Sequence, residues 1–245
     1  MGKTLFLAGA SGAIGRRLAP LLIAEGWRVV GTTRQAEKLG VLRGLGVEPM
    51  IVDVFDAASL ADAVAAVAPE VVIHQLTDLP PAMDPARMAE ATARNARLRE
   101  EGTRNLVEAA VRAGVRRLVA QSIAFAYAGD RLPHREEDAL AVDAEGRAGV
   151  SARGVASLER QVLEAPLTGI VLRYGRLYGP GTGFDAPTGV SPLHVDDAAR
   201  AAALAAVRGS PGIYNIAEDD GTVTVVKAKQ ELGWVPDRNS RHEGE

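Results

Sequence analysis

Short apolar runs alternate with helical stretches along this chain, and that alternation restricts the fold more than any single residue does. "TLFLAG" is followed by "AIGRRLAPLLIAEG", "RVVGTT" by "RQAEKLGVLRGLG", and "VEPMIVDV" by "DAASLADAVAAVA". "EVVIHQL" then precedes a long helical stretch, from about Arg87 to Ala113, which leads into "RRLVAQSIA". Later come "GIVLRYG", a helix "DDAARAAALAAVR" and a short "GIYNI". Strand and helix in repetition predict an α/β fold, a doubly wound parallel sheet of Rossmann type with helices on both faces. Pro20 falls inside the first predicted helix, where it removes a hydrogen bond, and is read as a local irregularity rather than a boundary. Residues 128–150 and the Gly/Pro-dense 175–193 carry loop signals and are the expected walls of a substrate cleft. The chain thus reads as one domain over 1–245, with a small substrate-side lobe from 175–193 and 210–236 and a polar tail over 237–245.

The bulk numbers exclude several classes of function. With 245 residues, 47% of them apolar, the chain is long enough for one sizeable core. A net charge of -3 without any basic block gives no footprint for nucleic acid or an anionic membrane. No stretch approaches the roughly 18 apolar residues of a membrane span, and the amino terminus enters a strand pattern at once, so a cytoplasmic protein is expected. The absence of cysteine removes disulfides, thiolate nucleophiles and zinc–sulfur sites, and four scattered histidines suggest no metal centre.

Between the first strand and the first helix, "AGASGAIG" spaces Gly9, Gly12 and Gly15 three apart. In such a turn the first glycine allows the tight bend, the second lets the backbone approach a phosphate, and the third lets helix pack on strand. The helix start then offers free N–H groups and a partial positive charge to a pyrophosphate. Gly9, Ser11, Gly12, Ala13, Ile14 and Gly15 are the expected phosphate site. The second strand ends "GTTR", with Thr33 where a carboxylate would grip ribose hydroxyls and Arg34 beside it. Arginine suits a 2′-phosphate, so NADP is expected ahead of NAD; the plainer reading makes Arg34 a solvated residue that starts the next helix.

These motifs, with "VDVFD", "VVIHQL", "EGTRNLVEAA", "LRYGRLYGPG", "HVDDAA" and "KAKQELGW", resemble extended or atypical members of the short-chain dehydrogenase/reductase superfamily, in the NAD-dependent epimerase/dehydratase branch. The resemblance runs along most of the chain. It implies that Asp53, with Val54 beside it, contacts adenine, and that Gln75 and Leu76 follow the fourth strand at the cofactor. It also implies a homodimer through the long helix, although the apolar stripe of Leu98, Leu106, Val107, Ala110 and Val111 would equally suit packing on the sheet.

The family's chemistry depends on a Tyr-x-x-x-Lys pair, and here that pair is missing. Counting back from Glu159 in "VSARGVASLERQVLEA" places Ser151 at the tyrosine position and Val155 at the lysine position. None of the four tyrosines has lysine four residues later, the lysines being Lys3, Lys38, Lys227 and Lys229. Ser122 and Tyr127 are the remaining catalytic candidates, the second with Arg131 four residues on as a cation that could lower its pKa. His194 and His74 read as structural, with Asp196 expected to cap the alanine-rich helix. Two functions stay open: an NAD(P)-dependent oxidoreductase or epimerase-like enzyme acting on a small carbonyl, alcohol or sugar-type substrate, and a non-catalytic dinucleotide sensor or scaffold.

Overall fold

The computed structural model describes residues 3–80 and 84–237. The strands are β1 (Thr4–Ala8), β2 (Arg28–Thr33), β3 (Glu48–Ile51), β4 (Val71–His74), β5 (Arg117–Ile123), β6 (Thr168–Tyr174), β7 (Arg176–Tyr178), β8 (Pro192–His194) and β9 (Gly212–Ile216). The α-helices between them are α1 (Ala13–Ala24), α2 (Leu39–Gly44), α3 (Ala57–Val67), α4 (Met88–Arg97), α5 (Thr103–Arg112), α6 (Gly146–Glu164) and α7 (Val195–Ala205). Seven strands form one sheet in the order β3-β2-β1-β4-β5-β6-β9, every pair parallel. The chain winds outward from β1 through β2 to β3, then returns to β4 on the other side. This reversal leaves a crevice at the carboxyl ends of β1 and β4, where open parallel sheets take ligands.

Side chains along β1 alternate between two cores. Leu5 and Leu7 join Leu18 and Leu22 of α1, Ile73, Leu172 and the alanines of α7. Phe6 and Ala8 point the other way, to Val64 of α3, Leu106 of α5 and Leu158 and Val162 of α6. Both faces of the sheet are therefore covered, as its apolar strands demand.

Exposed Pro20 lies inside α1, which continues through it. Three features differ from the sequence expectation. The long helix is three pieces: between α4 and α5 the chain widens into one π turn, Leu98–Gly102. In its stripe Leu98, Leu106 and Ala110 are buried toward the sheet, while Val111 stays exposed. Within 175–193, β7 and β8 pair in parallel as a second, two-stranded sheet. Finally, β9 falls inside 210–236 yet completes the edge of the main sheet, so only the segment after it lies beyond. That segment is pinned by Trp234, buried, whose indole N–H donates to the Asp197 carbonyl at 3.0 Å. Of the predicted tail, Asp237 pairs with Arg200 at 3.2 Å, and 238–245 lie outside the described residues.

Candidate functional site

The turn after β1 requires its glycines in different degrees. Gly9 has φ +88°, and a Cβ there would lie 2.6 Å from the Gln75 carbonyl oxygen. A Cβ on Gly15 would lie 2.4 Å from the Gly9 oxygen and 2.7 Å from the Ala10 Cα, so the third glycine is what lets α1 close onto the turn. At Gly12 the nearest atom would be 3.4 Å away. Gly12 is the N-cap of α1, has no side chain to satisfy the first N–H groups, and opens toward the crevice. A cradle of backbone donors that a larger residue would fill is the shape a pyrophosphate fits.

The crevice is a cleft of about 240 Å³. Gly9, Ser11, Gly12, Thr33, Arg34, Val54, Gln75 and Leu76 line it together. Ala13 stands at the start of α1 and Ile14 is buried in the core. Asp53 is exposed, and its carboxylate accepts from the Phe55 N–H at 3.0 Å. Gln75 bridges toward the centre of the sheet: its amide donates to the Tyr174 hydroxyl at 3.2 Å, and its buried Oε1 has no hydrogen-bond partner among the described residues. Such an acceptor beside the cradle fits a ligand rich in hydroxyl or amide donors. From the opposite side, residues 179–184 lean over the cradle, a Cβ on Gly181 falling 3.7 Å from Ala13 Cβ.

At the β2 end of the cleft, the Ser11 hydroxyl donates to Thr33 at 3.3 Å. Arg34 is exposed and lies 3.7 Å from Asp78, which Arg94 also meets at 3.4 Å. Lys38, four residues beyond Arg34 at the end of the short turn Ala36–Lys38, lines the same end. Sequence reasoning missed Lys38 and Asp78. The four-residue spacing from Arg34 signals the first; no local pattern announces the second.

The candidate acid/base groups are held in a buried network. Ser122, 1% exposed, donates to Glu159 Oε1 at 2.7 Å, and Arg173 grips both oxygens of Glu159 at 2.8 and 2.7 Å. The Tyr127 hydroxyl donates to Asn215 at 2.6 Å, and its ring lies 4.7 Å from the Arg173 guanidinium. The cation beside Tyr127 is therefore Arg173, not Arg131, and burial outweighs it, pushing the phenol up to about 12. On α6, Val155 is fully buried, and Ser151 accepts from Arg99 Nη1 at 3.0 Å. Arg99, absent from the sequence reading, sits in the π turn, where burial pulls its guanidinium down to about 10.

Both singled-out histidines have structural partners. His74 Nδ1 accepts from the Leu76 N–H at 3.2 Å and Nε2 meets Thr103 at 3.1 Å, while burial lowers its pKa to about 4. The ring is neutral, with its proton on Nε2. His194, rather than Asp196, is the N-cap of α7, its Nδ1 accepting from the Asp196 N–H at 3.4 Å. Asp196 instead pairs with Arg17 of α1 at 2.5 Å.

A protein-family model described as NAD(P)H-binding matches residues 9–177. The chain belongs to that NAD(P)H-binding family. A 3-diazoavenalumate denitrifying reductase from a Streptomyces species is 42% identical over 237 residues, spanning 88% of this chain and 76% of that protein. Among solved structures, the UDP-glucose 4-epimerase of Thermotoga maritima superposes with a TM-score of 0.76 at 20% identity, covering 96% of this chain and 94% of its own. The dTDP-glucose 4,6-dehydratase DesIV of Streptomyces venezuelae, with NAD bound, gives 0.77 at 18%, covering 96% and 92%. At that identity the likeness establishes the fold alone. The chain is thus an NAD(P)H-binding protein with a Rossmann-type fold, and its 42%-identical relative is a named reductase.

Proposed function

We propose that this protein is an NADPH-dependent reductase that replaces the diazo group of a small conjugated compound with hydrogen and releases dinitrogen. The observation that carries the reading is the 42% identity to a denitrifying reductase along nearly the whole chain, taken with the missing Tyr-x-x-x-Lys pair. Reducing a carbonyl builds an oxyanion that a placed acid must protonate. Reductive loss of a diazonium group does not: arenediazonium plus NADPH gives arene, N2 and NADP⁺, and the pair of the C–N bond departs with N2. The bound coenzyme supplies the hydride.

The chain's own residues supply binding and position. The amides at the start of α1 would hold the diphosphate, and Gln75 Oε1 would accept from a donor of the coenzyme. Arg34 and Lys38 would receive a 2′-phosphate, with Thr33 in place of the carboxylate that would repel it. Ser122 and Tyr127, the candidate proton donors, are asked for no proton in this reaction. Their hydroxyls, on Glu159 and Asn215, brace the ends of β5 and β9. A diazo group persists in water only where conjugation stabilises it, so the substrate has an extended π system.

Purified protein supplied with NADPH and a diazo-substituted arene carboxylate is expected to oxidise NADPH and evolve one N2 for each NADPH. The same protein is expected to leave simple ketones and UDP-sugars untouched. Turnover of ketones with none of the diazo compound would overturn the reading.

A further inference from the structure

Two residues at the carboxyl ends of neighbouring strands have no part in the network above. Phe125 follows β5 by two residues, at the carboxyl end of the sheet, and is 37% exposed, high for a phenylalanine. Arg176 opens β7, two residues after the end of β6, and its guanidinium lies 4.4 Å from the Phe125 ring centroid. Among the described residues no carboxylate comes within 4 Å of Arg176. Arg173, three residues earlier, is fully matched by Glu159. The same short segment thus has one neutralised arginine in the core and one open arginine at the surface.

Arg176 is fixed in place. Its N–H donates to the Ser191 carbonyl at 2.7 Å, β7 pairs with β8, and its stem lies along Gly189, where a Cβ would fall 3.1 Å from its Cδ. The pair is also joined to the cofactor cleft. Gln75, which lines the cleft, donates to Tyr174, the last residue of β6, and the Tyr174 carbonyl accepts from the Ala124 N–H at 2.8 Å, one residue before Phe125. A guanidinium stacked on an aromatic face keeps its N–H edge free in the ring plane, where it meets a carboxylate through two parallel hydrogen bonds.

We infer that Phe125 and Arg176 seat the substrate, Arg176 gripping a carboxylate and Phe125 both holding the arginine flat and offering its face to a planar π system. The substrate class is therefore a planar aromatic or polyenoic carboxylate. This deepens the reductase reading and rests on it for the identity of the reacting group, though not for the binding.

The probe is trans-cinnamate, titrated calorimetrically into the protein saturated with NADP⁺. Wild type is expected to bind it, cinnamamide to bind at least tenfold more weakly, and Arg176→Gln to lose about 10- to 100-fold of the cinnamate affinity. Arg176→Lys, which keeps the charge without the fork, is expected between the two, and Phe125→Ala to weaken cinnamate and cinnamamide alike. All three variants should hold NADPH as wild type does, which shows them folded. No cinnamate binding by wild type, or equal binding by Arg176→Gln, overturns the inference. If cinnamate binds through Arg176 but no diazo compound is reduced, the reductase reading fails and this seat stands. If the diazo carboxylate is reduced with the same KM by Arg176→Gln, the seat fails and the reductase reading stands.

Discussion

Gly12 and Gly15 have the same side chain and opposite constraints. A methyl group on Gly15 collides with backbone that cannot move aside, whereas one on Gly12 meets nothing closer than 3.4 Å but enters the cradle. Gly15→Ala is expected to cost about 1–3 kcal/mol of stability, the usual penalty of overpacking, read as a lower denaturation midpoint. Gly12→Ala is expected to keep that midpoint within about 1 kcal/mol and to weaken NADPH at least tenfold by calorimetry. His74 makes a second residue-level prediction. Its pKa is about 4 in the fold against 6.5 ordinarily, so the unfolded chain takes up the proton first as pH falls. Its contribution to stability is complete above pH 6.5, declines between 6.5 and about 4, and levels off below, by about 3 kcal/mol in all. In His74→Gln that part of the pH slope should vanish from urea titrations, whatever the variant's stability at pH 7. The glycines and the missing Tyr-x-x-x-Lys pair were legible in the sequence because each is a local fact. Arg99 beside Ser151, and Arg173 rather than Arg131 beside Tyr127, were not legible, because those contacts join segments dozens of residues apart.

At the level of elements, the proposed preference for NADPH rests on the end of β2. Arg34 is exposed and touched only loosely by Asp78, itself shared with Arg94, so it is free to turn toward a phosphate. Arg34→Ala is expected to raise the Kd for NADPH at least tenfold and to change that for NADH less than twofold; equal losses would show that Arg34 does not read the 2′-phosphate. The strands of the main sheet announce themselves as apolar runs because both faces are buried. β7 and β8 do not: each has three residues, β7 between Gly175 and Gly179 and β8 opening on Pro192, and Gly175 lets the chain pass the Ser191 carbonyl, where a Cβ would fall 2.1 Å away. The π turn between α4 and α5 is equally hidden. It shifts hydrogen bonding by one residue without changing the apolar stripe that reveals a helix.

For the whole molecule, strand order does the positioning. Winding reversal between β1 and β4 sets Gly9 against Gln75, and the next strands outward, β5 and β6, are followed two residues on by Phe125 and Arg176 respectively. Beyond the sheet lie the loop between β7 and β8 and the short segment after β9. The most direct test of hydride transfer to a diazo-bearing carbon is a reaction run with NADPH deuterated at C4 and a diazo-substituted cinnamate, followed by mass spectrometry of the product. The account predicts cinnamate with one deuterium on the carbon that lost N2, formed in step with NADP⁺. Product without deuterium, or unchanged diazo compound beside unoxidised NADPH, would contradict it.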